Sequence, residues 1–132
     1  MRSRILFISG HREDARNLMR MLQNLPLELE HVGSLQQART MLRQGEYDVI
    51  LTEAKFPDGG WMDVLHLARE CPQEVEVIVT DPQADARLWA EALNMGAYDL
   101  LAQPFYQPEV TRILYNACSR TSYQSYPLAA AV

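Results

Sequence analysis

Lysine is nearly missing from this chain: eleven of its twelve cationic side chains are arginine, and the one lysine is Lys55. No Lys/Arg-rich run occurs, and the formal net charge is −5. Neither non-specific nucleic-acid binding nor attachment to anionic membranes is therefore expected. Cysteine is scarce too, with only Cys71 and Cys118, far apart and without CxxC spacing. That argues against a disulfide framework, and since each falls on an apolar helical stripe, both are expected as buried free thiols. Long apolar runs are absent as well. The four-residue run after Arg2 and Arg4 is too short for a signal-peptide core, and nothing approaches the roughly 20 apolar residues of a membrane span. A soluble, cytoplasmic protein of one domain is expected. Its 132 residues, 48% hydrophobic and 22% charged, suffice for one core but not for two.

What is present is a regular alternation of short apolar runs and amphipathic stretches. Residues 4–9 form a buried strand ending at Ser9-Gly10-His11. Ala15, Leu18, Met19, Leu22 and Leu25 then fall at helical spacing until Pro26. Residues 27–32 alternate like a half-exposed edge strand. Gly33-Ser34 caps a second helix with Leu35, Ala38, Met41 and Leu42 inward. After the third strand comes a helix with Trp61, Val64, Leu65, Ala68 and Cys71 on one face, ended by Pro72. A strand over 75–80, a helix over 84–95 facing Ala90, Ala92 and Leu93 to the core, a strand over 98–102 and a last helix from Pro108 complete the pattern. The domain is expected to occupy residues 1–122, with a frayed tail over 123–132. Five strand–helix units with short loops predict an α/β fold, a doubly wound parallel sheet with helices on both faces.

The stretch 47–60 organises the chain. The apolar run Val49 to Leu51 leads to one carboxylate, Glu53, and then to a loop closed by Pro57, Gly59 and Gly60. A buried parallel strand delivers a polar side chain to the ligand-bearing end of such a sheet in this way. The neighbouring loops bring Ser9, Gly10, His11, Lys55, Thr80, Asp81 and Gln103 to the same end.

Taken in order and spacing, Tyr47-Asp48-Val49-Ile50-Leu51, Pro57-x-x-Gly60, Thr80, Gly96-Ala97-x-Asp99 and Pro104-Phe105 make residues ~4–118 resemble a receiver domain of two-component response regulators. The resemblance implies the flavodoxin-like sheet order 2-1-3-4-5 with five helices, and a cis peptide before Pro104. It also implies phosphoryl transfer from a histidine kinase to an aspartate ending the third strand. That chemistry uses Mg²⁺ held by carboxylates and a lysine that neutralises the phosphoryl oxygens.

At those positions this sequence departs from the family. Ser9 and Gly10 replace the acidic pair, Glu53 replaces the acceptor aspartate, Gln103 replaces the lysine, and Leu100 replaces the aromatic switch. Only Thr80 remains. One carboxylate and a hydroxyl compete poorly with water for Mg²⁺. The extra methylene of Glu53 misplaces the acceptor by ~1 Å, a displacement able to cost on the order of 100-fold in rate. Losing the lysine costs about 2–4 kcal/mol by analogy with losing one transition-state donor. The chain is thus expected to be a degenerate pseudo-receiver, not an enzyme, with no cofactor and weak or absent Mg²⁺ binding.

Two readings of Glu53 stay open. Its charge, reaching toward Thr80, imitates the phosphorylated state, or it is a tolerated residue in an inert pocket. A Glu53–His11 contact is conceivable, but two ligands make a poor metal site, and no metal is expected. His31 and His66 read as boundary or surface residues, and Lys55 as a surface lysine. Trp89 is either an exposed anchor on an interaction face with Arg87, Tyr106 and Arg112, or folded over the fifth strand beside Leu100. The function expected is signal transduction by phosphorylation-independent protein–protein interaction. The partner is a histidine kinase, an output protein or a second copy, with no small-molecule substrate. The alternative is a phosphorylatable receiver with an unusual pocket at Glu53. A flavin or nucleotide role is disfavoured, because residues 9–13 lack a glycine- and hydroxyl-rich phosphate cradle.

Overall fold

The computed structural model describes residues 2–124, with side chains through Arg120. Its elements alternate as the apolar pattern requires: β1 (Ser3–Ile8), α1 (Arg12–Leu22), β2 (Leu27–Val32), α2 (Leu35–Gln44) and β3 (Val49–Glu53). A two-residue hairpin follows, β4 (Lys55–Phe56) with β5 (Gly59–Gly60), and then α3 (Trp61–Arg69), β6 (Glu76–Asp81), α4 (Ala86–Asn94), β7 (Asp99–Ala102) and α5 (Gln107–Gln124). The main sheet runs β2-β1-β3-β6-β7, every pair parallel. Counting its five strands alone, this is the order 2-1-3-4-5.

Alternation along the strands builds two cores. Ile5, Phe7, Val49, Leu51, Ile78 and Leu101 point to one face, which Leu18, Leu22, Val110 and Leu114 cover from α1 and α5. Leu6, Ile8, Ile50, Val77, Val79 and Leu100 point to the other, covered by Ala38, Trp61, Val64 and Ala92 from α2, α3 and α4. A side-chain period of two on a sheet covered on both faces leaves the central strands almost no polar positions. The exceptions are Ser9, Thr52, Glu53 and Thr80, all buried near the carboxyl ends of the strands.

Several local expectations change. Met19 is 43% exposed, because the buried stripe of α1 is Ala15, Leu18 and Leu22. Ala90 is also exposed, since α4 turns Leu88 and Ala92 inward instead. Cys71 is only half-buried: α3 ends at Arg69, so Cys71 lies in the turn beyond the stripe, whereas Cys118 is buried as expected. Burial pushes the Cys118 thiol up to about 12. Helix α5 reaches Gln124, past the anticipated boundary at 122, and the rest of the proposed tail lies outside the described residues.

The hairpin after β3 was not anticipated. It is locked by Trp61 N–H donating to the Ala54 carbonyl at 3.1 Å, and a Cβ on Gly60 would stand 3.0 Å from that same carbonyl oxygen. A side chain there would crowd this hydrogen-bonded oxygen, so glycine suits the close approach. From the turn of this hairpin Asp58 accepts the Leu35 and Gln36 N–H groups at 2.7 and 3.2 Å, joining Ser34 in capping α2.

Candidate functional site

The site lies at the carboxyl ends of β1, β3 and β6. Glu53 is the last residue of β3 and is 6% exposed. Its carboxylate turns toward β1: Oε1 accepts the Gly10 N–H at 2.9 Å, and Oε2 lies 3.0 Å from His11 Nδ1. Ser9 is buried, and its hydroxyl accepts the His11 N–H at 2.9 Å. The Ser9 carbonyl in turn accepts from His31 Nε2 at 2.8 Å, with that ring 5.8 Å from Phe7. His31 is thus half-buried and structural, a boundary residue as expected, while His66 is exposed.

His11 is the N-cap residue of α1 with its side chain 71% exposed, so its edge remains open to solvent while Nδ1 faces Glu53. The hydrogen bond to Glu53 holds the imidazolium above its usual range. Asp14, one turn along α1, brings a carboxylate 3.9 Å from the same nitrogen. Burial, followed by the Glu53 charge, raises its proton affinity. The sequence reading missed Asp14, although its i, i+3 spacing from His11 was a visible signal.

Thr80 and Gln103 form a separate group. The Thr80 hydroxyl donates to the Leu101 carbonyl at 2.7 Å and accepts from Gln103 Nε2 at 3.2 Å. The Gln103–Pro104 peptide is cis. Glu53 and Thr80 are register partners on adjacent strands, yet no hydrogen bond links their side chains. Lys55 points into solvent from the hairpin, and among the described residues it forms no ion pair with Glu53 or Asp81.

A Mg²⁺ ion fits this donor set poorly. It demands oxygen ligands near octahedral geometry, whereas Gly10 offers no side chain and the group facing Glu53 Oε2 is an imidazole nitrogen. Crowding does not explain the missing acid at Gly10, because a Cβ there would meet only Pro57 Cδ, at 3.7 Å.

On the far side of the sheet end, Trp89 of α4 is 48% exposed and Tyr106 is 66% exposed, with Arg87 and Arg112 also at the surface. Trp89 borders an open groove of about 240 Å³ shared with Asp85, Leu100 and Glu109. It therefore combines features of both anticipated placements: much of the ring is exposed, and it stands beside the inward-turned Leu100.

The family profile of the response regulator receiver domain matches residues 5–115. The chain belongs to that family. Among curated relatives, the swarming motility regulation protein RssB of Serratia marcescens is 27% identical over 106 residues, 80% of this chain and 48% of RssB. The regulatory protein LuxO of Vibrio cholerae is 27% identical over 101 residues, 76% of this chain and 22% of LuxO. This receiver therefore spans about half or less of those relatives' lengths. Among solved structures, the signal receiver domain of a protein described as a LuxO repressor from Vibrio parahaemolyticus superposes with a TM-score of 0.87 at 19% identity, covering 94% of this chain and 95% of the other. The receiver domain of an HD domain-containing protein from Pseudomonas fluorescens gives 0.82 at 24% identity, covering 93% and 99%. The receiver fold and its place in two-component signal transduction are thus established, and the relatives are signalling regulators rather than conventional enzymes. No helix among the described residues is long and apolar enough to cross a membrane.

Proposed function

We propose that this receiver, a unit over residues 1–122, signals without accepting a phosphoryl group, through contact with a protein partner. One observation carries the reading. The carboxylate at the acceptor position, Glu53, is buried and held on both oxygens by Gly10 and His11, so neither is directed outward toward a phosphoryl donor. Gln103, at the position of the phosphoryl-neutralising lysine, instead bonds Thr80 and brings no positive charge. The inert-pocket reading of Glu53 gains support over mimicry, because the Thr80 hydroxyl is engaged by Leu101 and Gln103. The partner is a histidine kinase, an output protein or a second copy, and the surface assigned to it centres on Trp89 with Arg87, Tyr106 and Arg112.

Incubation with acetyl phosphate and Mg²⁺ followed by intact-mass spectrometry tests the central claim. The expected result is an unmodified mass. A phosphoryl adduct that disappears in Glu53→Gln would establish the alternative, a phosphorylatable receiver with an unusual acceptor.

A further inference from the structure

Outside the phosphoryl question, the end of β3 and the start of α1 gather three metal-ligating side chains. His11 Nδ1 stands 3.0 Å from Glu53 Oε2 and 3.9 Å from Asp14 Oδ2, and one ligand atom from each residue lies within 4.8 Å of the others. We propose that His11, Asp14 and Glu53 form a binding site for a divalent transition-metal ion of the zinc class.

The geometry suits such an ion. Zinc bonds to imidazole nitrogen and carboxylate oxygen are about 2.0–2.2 Å, which sets ligand-to-ligand separations on the order of 3–3.6 Å. The His11–Glu53 pair is already at 3.0 Å, and the His11–Asp14 pair at 3.9 Å is only slightly wide. The three ligand atoms lie within 4.8 Å of one another, so the half-buried Asp14 side chain would have to turn toward both His11 and Glu53 to complete the site. The Gly10 N–H on the other Glu53 oxygen fixes the carboxylate from behind, as an outer partner does for a metal ligand. The exposed His11 edge leaves an entry path and room for water as a further ligand.

Charge points the same way. Two carboxylates converge on one imidazole, so the three side chains present two negative charges to one point. A metal ion bound through the deprotonated ligands would neutralise both acids. The nitrogen donor sets the choice of ion, since imidazole suits Zn²⁺, Co²⁺ and Ni²⁺, while Mg²⁺ favours oxygen. Neither His11 nor Asp14 stands at a position the receiver resemblance assigns to Mg²⁺. His11 and Glu53 alone are two ligands, too few for a metal site; Asp14 is the third, which the fold adds.

The test uses the full chain freed of metal with a chelator. Titration with ZnCl₂ is expected to show one equivalent bound and a rise in Tm that MgCl₂ does not reproduce. His11→Ala and Asp14→Asn should each weaken binding on the order of tenfold or more, while His66→Ala should not. Substitution with Co²⁺ reads the ligands without any variant: a visible d–d spectrum lacking thiolate charge transfer is expected. Absence of zinc binding, binding undiminished in both His11→Ala and Asp14→Asn, or a thiolate band from Cys71 would each overturn the site. A phosphoryl adduct on Glu53 would overturn the proposed function and leave this site standing.

Discussion

Thr80 has no exposed surface, and its hydroxyl both donates to Leu101 and accepts from Gln103. In this structure it ties β6 to β7 and to the loop behind β7. Replacing it by valine keeps the volume but leaves the Leu101 carbonyl without this donor. Thr80→Val is expected to cost about 1–2 kcal/mol, read as a lower midpoint in urea at unchanged slope. No change in midpoint would mean that water replaces the hydroxyl and the contact is incidental. At this scale the sequence was informative about identity and silent about direction. Glu53, Ser9, Gly10, Thr80 and Gln103 could all be placed at one sheet end by counting residues past each apolar run. Which way the Glu53 carboxylate turns depends on a free Gly10 N–H and on a histidine at the start of α1. Both are three-dimensional neighbours forty or more positions away.

Among the elements, the join of β1, β2 and the entrance to β3 is held by Arg4, Glu30 and Tyr47. Glu30 accepts from the Tyr47 hydroxyl and from Arg4 Nη2, each at 2.5 Å, and the guanidinium lies 4.5 Å from the Tyr47 ring centroid. The Tyr47 bond and then the Arg4 bond hold the Glu30 carboxyl below its ordinary range, while burial followed by the Glu30 bond pushes the Tyr47 hydroxyl up to about 12. A depressed folded value means that Glu30 binds its proton more readily when unfolded. Its stabilisation is therefore complete above the unfolded value of about 4.3 and is lost as pH falls through the folded one. Glu30→Gln should flatten the acid limb of the stability–pH curve in that window, measured by urea unfolding across pH. An unchanged slope would place the acid sensitivity elsewhere.

The strand and helix periods were legible because both faces of the sheet are covered and the central strands admit almost nothing polar. The hairpin of β4 and β5 was not legible. Two-residue strands carry no period, and only the close approaches of Gly60 to the Ala54 carbonyl and of Gly59 to Asp63, Phe56 and Leu35 reveal why two glycines stand there. The extent of α3 was overread for a related reason: Cys71 continues the helical spacing numerically, but the chain has already left the helix at Arg69. Gly96, just beyond α4, adopts φ of 105°, a conformation that closes the helix and that the sequence signalled only as a glycine in the right place.

For the whole molecule, the two ends of the site face different tasks. Around Glu53 the polar groups are internally paired, and among the described residues no buried side-chain nitrogen or oxygen lacks a partner. Around Trp89 a large aromatic surface remains open. If that surface is the interface, Trp89→Ala should lower partner or self-affinity on the order of tenfold or more with little change in Tm. Sedimentation velocity and pull-down measure the first and thermal melting the second. Unaltered association would move the interface off α4. Asp58 has a mechanical consequence of its own. Two carboxylate hydrogen bonds moor the hairpin beyond Glu53 to the first turn of α2, so rim and helix share one lever arm. A load that tilts α2 is thereby delivered to the rim of the Glu53 pocket without any ligand entering it.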